Sequence, residues 1–109
     1  MPKNKQINQV IDANHRLRTT IEFDLGTISH WAVQLEMCSP EDNWQWVTRY
    51  DTAGGKAHRD RHLIAAHEEI AIPKEASQAI DFAQQDLRKH YMEYTQAYLE
   101  AKKSEEKGR

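Results

Sequence analysis

The sequence predicts an α+β fold: a four-stranded antiparallel β-meander with one long C-terminal helix packed across one face. Three observations predict it. Apolar and polar residues alternate through three segments between 19 and 51, and more weakly through a fourth from 57. From Pro73 onward the apolar period becomes three to four. Short turn-forming breaks separate the strands, which favours hairpins over crossovers.

The first strand is TTIEFDL, residues 19–25, with Ile21, Phe23 and Leu25 on one face and Thr20, Glu22 and Asp24 on the other. Gly26 and Thr27 supply a turn. The second runs from about Ser29 to Met37, with Trp31, Val33, Leu35 and Met37 sharing a face. SPEDN, residues 39–43, breaks it. The third, 44–51, sets Trp44, Trp46, Thr48 and Tyr50 against Gln45, Val47, Arg49 and Asp51. Aromatic rings remove large apolar areas from water, so the aromatic side is the expected core face and Arg49 and Asp51 point away from it. The fourth strand spans 57–64 and resumes toward Ile72, with a bulge expected near Ala65 and Ala66. Ala76, Ile80, Ala83, Leu87, Tyr91, Tyr94 and Tyr98 then mark one amphipathic helix of about 28 residues, with Pro73 suited to its first position. Its outer half, with Tyr94 and Tyr98, is expected to project or to pack on a second copy, giving a homodimer.

The chain of 109 residues reads as a polar, flexible arm (1–18), one domain (19–101) and a disordered charged tail (102–109). One cysteine, Cys38, precludes an intrachain disulfide and fits a reducing cytoplasm. The longest aliphatic run, Leu63 to Ala66, is far too short to span a membrane, and MPKNKQINQV lacks the apolar core of a signal peptide. The net charge of −2 is uneven. Lys3, Lys5, Arg16 and Arg18 against Asp12 give the arm +3, and the tail carries +2, leaving −7 for the body. An acidic body argues against a broad electrostatic grip on nucleic acid but allows a local cationic site.

That site lies in RYDTAGGKAHRDRH, residues 49–62, with two histidines, two aspartates, three arginines and a lysine around Gly54 and Gly55. A hairpin there brings Arg49 and Asp51 beside His58, Asp60 and His62. Three readings follow. In the first, RNA is cleaved through its own 2′-hydroxyl without a cofactor. His58 and His62 serve as base and acid, Arg49 clamps the phosphorane, and Asp51 or Asp60 orients an imidazole. Lys56, Arg59 and Arg61 steer the RNA backbone. In the second, His58-x-Asp60-x-His62, helped by His30, holds zinc or non-haem iron. In the third, the charges merely neutralise one another on a solvated face. His58-Arg59-Asp60 echoes the kinase catalytic-loop triplet, but the chain is too short for a kinase and lacks its other motifs. His15 and His67 have no evident partners.

VQLE (33–36), WVTRYDTAGG (46–55) and HRD (58–60) resemble a family of small prokaryotic proteins with a VxRYDTAHG…HRD signature followed by one long helix. More distantly, the arrangement is similar to TumE-type toxins of toxin–antitoxin pairs. The resemblance covers about residues 20–95, and its specific part is confined to 46–62. Arg49, Asp51, His58 and Asp60 fall on shared positions, whereas Gly54 stands where that family usually has histidine. The resemblance implies a cytoplasmic protein that acts on RNA, with a cognate antitoxin as partner. The competing expectation is a non-enzymatic interaction module, of prophage origin, that engages a protein through the polar sheet face or the projecting helix.

Overall fold

A computed structural model describes residues 3–41, 43–53 and 55–107. Among the described residues, six antiparallel strands follow one another in both sequence and space: β1 (Lys3–Asp12), β2 (His15–Asp24), β3 (Thr27–Cys38), β4 (Trp44–Asp51), β5 (His58–Arg61) and β6 (Ala65–Glu68). Two helices, α1 (Ala76–Lys89) and α2 (Tyr91–Lys107), close the chain. The expected meander is therefore present, but with six strands instead of four.

The first extra strand comes from the segment expected to be a flexible arm. Residues 3–12 pair with β2 from Lys3↔Phe23 to Asp12↔His15. The turn is held by Asp12, whose Oδ1 accepts the Asn14 N–H at 2.8 Å and lies 2.9 Å from His15 Nδ1. This is an edge strand whose Ile7 and Ile11 are only half covered, so its alternation is weak. Its lysines blunt an edge that would otherwise recruit another strand. The second extra strand arises because the long segment from 57 doubles back. His62, Leu63 and Ile64 form a turn, with Leu63 at φ 66°.

Core residues alternate as their periodicity predicts along β2 and β3. Leu17, Val33 and Leu35 are fully buried and Trp31 nearly so. β4 departs from its predicted faces. Leu35 pairs with Thr48 but Glu36 pairs with Trp46, so the ladder skips Val47. That irregularity shifts the phase by one residue. Thr48 and Tyr50 lie in the core as expected, and Val47 joins them. Trp44 and Trp46 turn to the opposite face, under the guanidinium groups of Arg16 and Arg49.

The single expected helix is broken at His90, and it begins at Ala76, not Pro73. Glu75 is its N-cap, accepting the N–H groups of Ser77 and Gln78. At the break His90 leaves helical geometry (φ −117°, ψ 19°), and its Nδ1 donates to the Asp86 carbonyl at 3.2 Å. The change of direction lays α2 back over β4. Tyr94 and Tyr98 are consequently buried within their own chain, 9% and 2% exposed, and do not form the projecting stripe expected to meet a second copy. The tail expected to be disordered is helical through Lys107. Both helices cover the same side of the sheet: Phe82 packs edge-on against Tyr50, Gln84 donates to Thr19, and Tyr98 donates to Gln45. Among the described residues, no helix is long and apolar enough to cross a membrane.

Candidate functional site

The uncovered face of the sheet holds the site. β4 and β5 pair in register, with Arg49 opposite Asp60 and Asp51 opposite His58. Strand side chains alternate between faces, so these four share one face and the residues between them share the other. Arg49, Asp51, His58 and Asp60 therefore converge as expected. Gly54 of the expected turn lies outside the described residues; Gly55 closes the bend at φ 94°, its N–H bonded to the Thr52 carbonyl at 2.9 Å.

His58 is the hub. Its Nδ1 lies 3.0 Å from the Lys56 carbonyl oxygen. Its Nε2 lies 3.0 Å from Asp51 Oδ1 and 3.4 Å from Asp60 Oδ2. Arg49 ties the same two carboxylates from the other side, with Nε 3.0 Å from Asp51 Oδ2 and a terminal nitrogen 3.8 Å from Asp60 Oδ2. His58 and Asp60 are each 8% exposed. In front of them opens a cleft of about 550 Å³, walled by Trp46, Arg49, His58, Asp60 and the turn from His62 to His67.

The structure adds His67, for which the sequence offered no partner. β6 pairs Ala65 with Arg61 and Glu68 with Arg59, so Ala66 and His67 together oppose Asp60. This bulge lies beside the position where one is expected. It places His67 in the left-handed region at φ 55°, with its N–H donating to Asp60 Oδ1 at 2.6 Å. The His67 and His58 rings are 4.5 Å apart. The bulge signal and the second histidine near it were both legible, but their coincidence was not.

Other expected participants sit elsewhere. His62 lines the cleft wall instead of joining the hub. Its ring stacks between Trp46 and Tyr98, and its Nδ1 meets the Trp46 carbonyl at 3.0 Å. It follows β5 into the turn, and strand alternation no longer governs it. Arg59 points to the helix side, bound to Glu68 at 2.9 Å and to the Tyr94 hydroxyl at 2.9 Å. Arg61 lies over the same tyrosine ring. Arg59 is thus turned away from the open face, whereas Arg61 also borders the cleft. Lys56 is exposed but lines a separate depression with Trp31 and Ile72. His30 pairs with Glu22 at 3.3 Å and lines a depression that Asp51 also borders, and His15 pairs with Asp12 and the Tyr91 ring.

Beside the cleft the open face continues over β2 to β4. Glu36, 4% exposed, accepts from Arg16 Nε at 2.6 Å and lies 3.8 Å from Arg18. Two guanidinium groups thus share one carboxylate next to Trp44 and Trp46. The chain matches, over residues 1–104, the family described as Domain of unknown function (DUF7718). No curated protein and no solved structure matches it.

Proposed function

We propose that this chain, which belongs to the DUF7718 family, acts on single-stranded RNA as the toxin-type member of a toxin–antitoxin pair. The uncovered sheet face binds the strand, and the His58–Asp60–His67 cleft at its edge cuts it. One observation carries the reading. Both helices pack on one side, leaving the Trp44 ring and the Arg16, Arg18 and Arg49 guanidinium groups together on the other. Exposed aromatic rings on an open antiparallel sheet stack bases, and guanidinium groups take phosphate oxygens. Trp44 is 38% exposed.

Cleavage needs a group that takes a proton, a group that returns one, and a cation for the phosphorane. Arg49 is the cation, with 37% of its side chain exposed at the cleft wall. His67 is the imidazole that an incoming ribose meets first, since 73% of its side chain is exposed. His58 stands behind it, held between Asp51 and Asp60.

The test is a labelled, unstructured RNA oligonucleotide followed by anisotropy and by gel. Wild-type protein is expected to bind and to cleave it. Trp44→Ala should weaken binding by about tenfold, the loss of one stacking platform. Arg49→Ala should slow cleavage by about a hundredfold or more, the scale of removing one charge-stabilising donor. A wild-type protein that neither binds nor cuts RNA at low salt removes the proposal.

A further inference from the structure

We propose that His58, Asp60 and His67 form a binding site for a single divalent transition-metal ion of the zinc type. One ligand atom from each residue lies within 4.8 Å of the other two. The proposal stands without the RNA reading, in which the same imidazoles carry protons only while no ion holds them.

The second observation is the state of His58. A carbonyl oxygen only accepts, so the contact with Lys56 requires the proton on Nδ1. Nε2 is then shielded from solvent, and among the described residues no hydrogen bond of proper geometry satisfies it. What faces it is two carboxylate oxygens, of Asp51 and Asp60. Left neutral in this tautomer, the imidazole would aim a lone pair at two negative groups. A cation among them turns that repulsion into ligation.

The surrounding bonds orient the donors as supports of a metal site do. The Lys56 carbonyl fixes the His58 tautomer. The His67 N–H holds Asp60 Oδ1, leaving Oδ2 toward His58. Asp51 is kept as a flanking charge, with Arg49 on Oδ2 and the Ala53 N–H on Oδ1. In a tetrahedral site with bonds of about 2.0–2.1 Å, donor atoms stand about 3.3–3.5 Å apart. The His58–Asp60 gap of 3.4 Å meets that spacing. His67 Nδ1 is 4.0 Å from the other carboxylate oxygen, Asp60 Oδ1, and its exposed ring has room to turn toward the ion. Two imidazoles and one carboxylate suit zinc, whereas calcium and magnesium select oxygen donors throughout. Three protein donors leave a position for water facing the cleft, and zinc-bound water ionises near neutral pH.

The experiment titrates Zn²⁺ alone into chelator-stripped full-length protein, by calorimetry and with no RNA present. Wild type is expected to take up one equivalent with Kd of about 1 μM or tighter, and to melt at higher temperature when loaded. Co²⁺ should give the visible absorption of a four-coordinate nitrogen–oxygen site. His67→Ala and Asp60→Asn should each weaken uptake by at least about tenfold. His30→Ala, on the same face but paired with Glu22, should leave it unchanged. Absence of saturable uptake by wild type overturns the proposal. So does uptake by His67→Ala as tight as by wild type. The exposed His67 ring makes that variant decisive even where Asp60→Asn fails to fold. Because RNA is left out, failure here is separate from failure of RNA binding.

Discussion

Asp86→Ala is expected to destabilise the protein by about 3 kcal/mol, although its side chain lies at the border of the core. One carboxylate organises the contact between α1, α2 and the sheet. Oδ2 accepts the hydroxyl protons of Tyr50, at 2.6 Å, and of Tyr94, and Oδ1 lies 3.1 Å from His90 Nδ1. Tyr50 is 1% exposed and Tyr94 9%. Hydrogen bonds to a charged acceptor contribute about 1.5–3 kcal/mol each, and removing the acceptor leaves buried donors behind. Arg59 keeps a contact with the Tyr94 hydroxyl, which reduces the loss there. Tyr50→Phe removes a donor together with its requirement and should cost only about 1 kcal/mol. Urea unfolding of both variants checks the pair. A loss below that of Tyr50→Phe would show that the carboxylate is not the organising group.

The same cluster makes stability sensitive to alkali. Burial, and then the hydrogen bond to Asp86, push the Tyr94 phenol up to about 12, and the same causes raise Tyr50 further. The folded chain thus keeps both phenols neutral at a pH where the unfolded chain ionises them, near 10. Their contribution is complete below pH 10 and is lost as pH rises through the folded values. Unfolding midpoints should fall between pH 10 and about 12. Tyr94→Phe should fall less steeply than wild type over that interval, and an identical slope would contradict the assignment.

Leu35→Ala should be at least as damaging, at about 3–4 kcal/mol, through a different cause. Leu35 is fully buried in β3, paired with Leu17 on one side and Thr48 on the other. Truncation removes the transferred apolar atoms and leaves a cavity between sheet and helix that neighbouring strands cannot collapse. Val10→Ala supplies the contrast. Val10 is 75% exposed on the edge strand, and its truncation should change stability by less than about 0.5 kcal/mol. Comparable losses at the two positions would mean that β1 buries more than its exposure indicates.

How far the site was legible follows from the same geometry. Arg49, Asp51, His58 and Asp60 could be brought together on paper because each pair is two residues apart on neighbouring strands. A period of two fixes the face without knowledge of the rest of the fold. His62 obeys the same arithmetic on paper but lies beyond the end of β5, where the rule stops. His67 enters through a bulge, which adds a residue and redirects a side chain. Trp44 and Trp46 were misplaced by the skipped residue Val47, which exchanges the faces of everything before it. The tyrosines of α2 carry a helical period either way; the bend at His90 decides that they face inward.

Taken alone, the amino-acid order settled the alternating faces of β2 and β3, the change to helix after Pro73, and the meeting of four charged groups across the β4–β5 hairpin. Each depends on neighbours a few residues away, where hydrophobic period and turn chemistry act. The tertiary arrangement alone decided that residues 3–12 find an edge to pair with, that the helices leave one sheet face uncovered, and that His67 closes on His58 and Asp60. Those outcomes depend on ladder phase and on a helix bend, whose energies come from contacts distant in sequence and leave no local pattern to read.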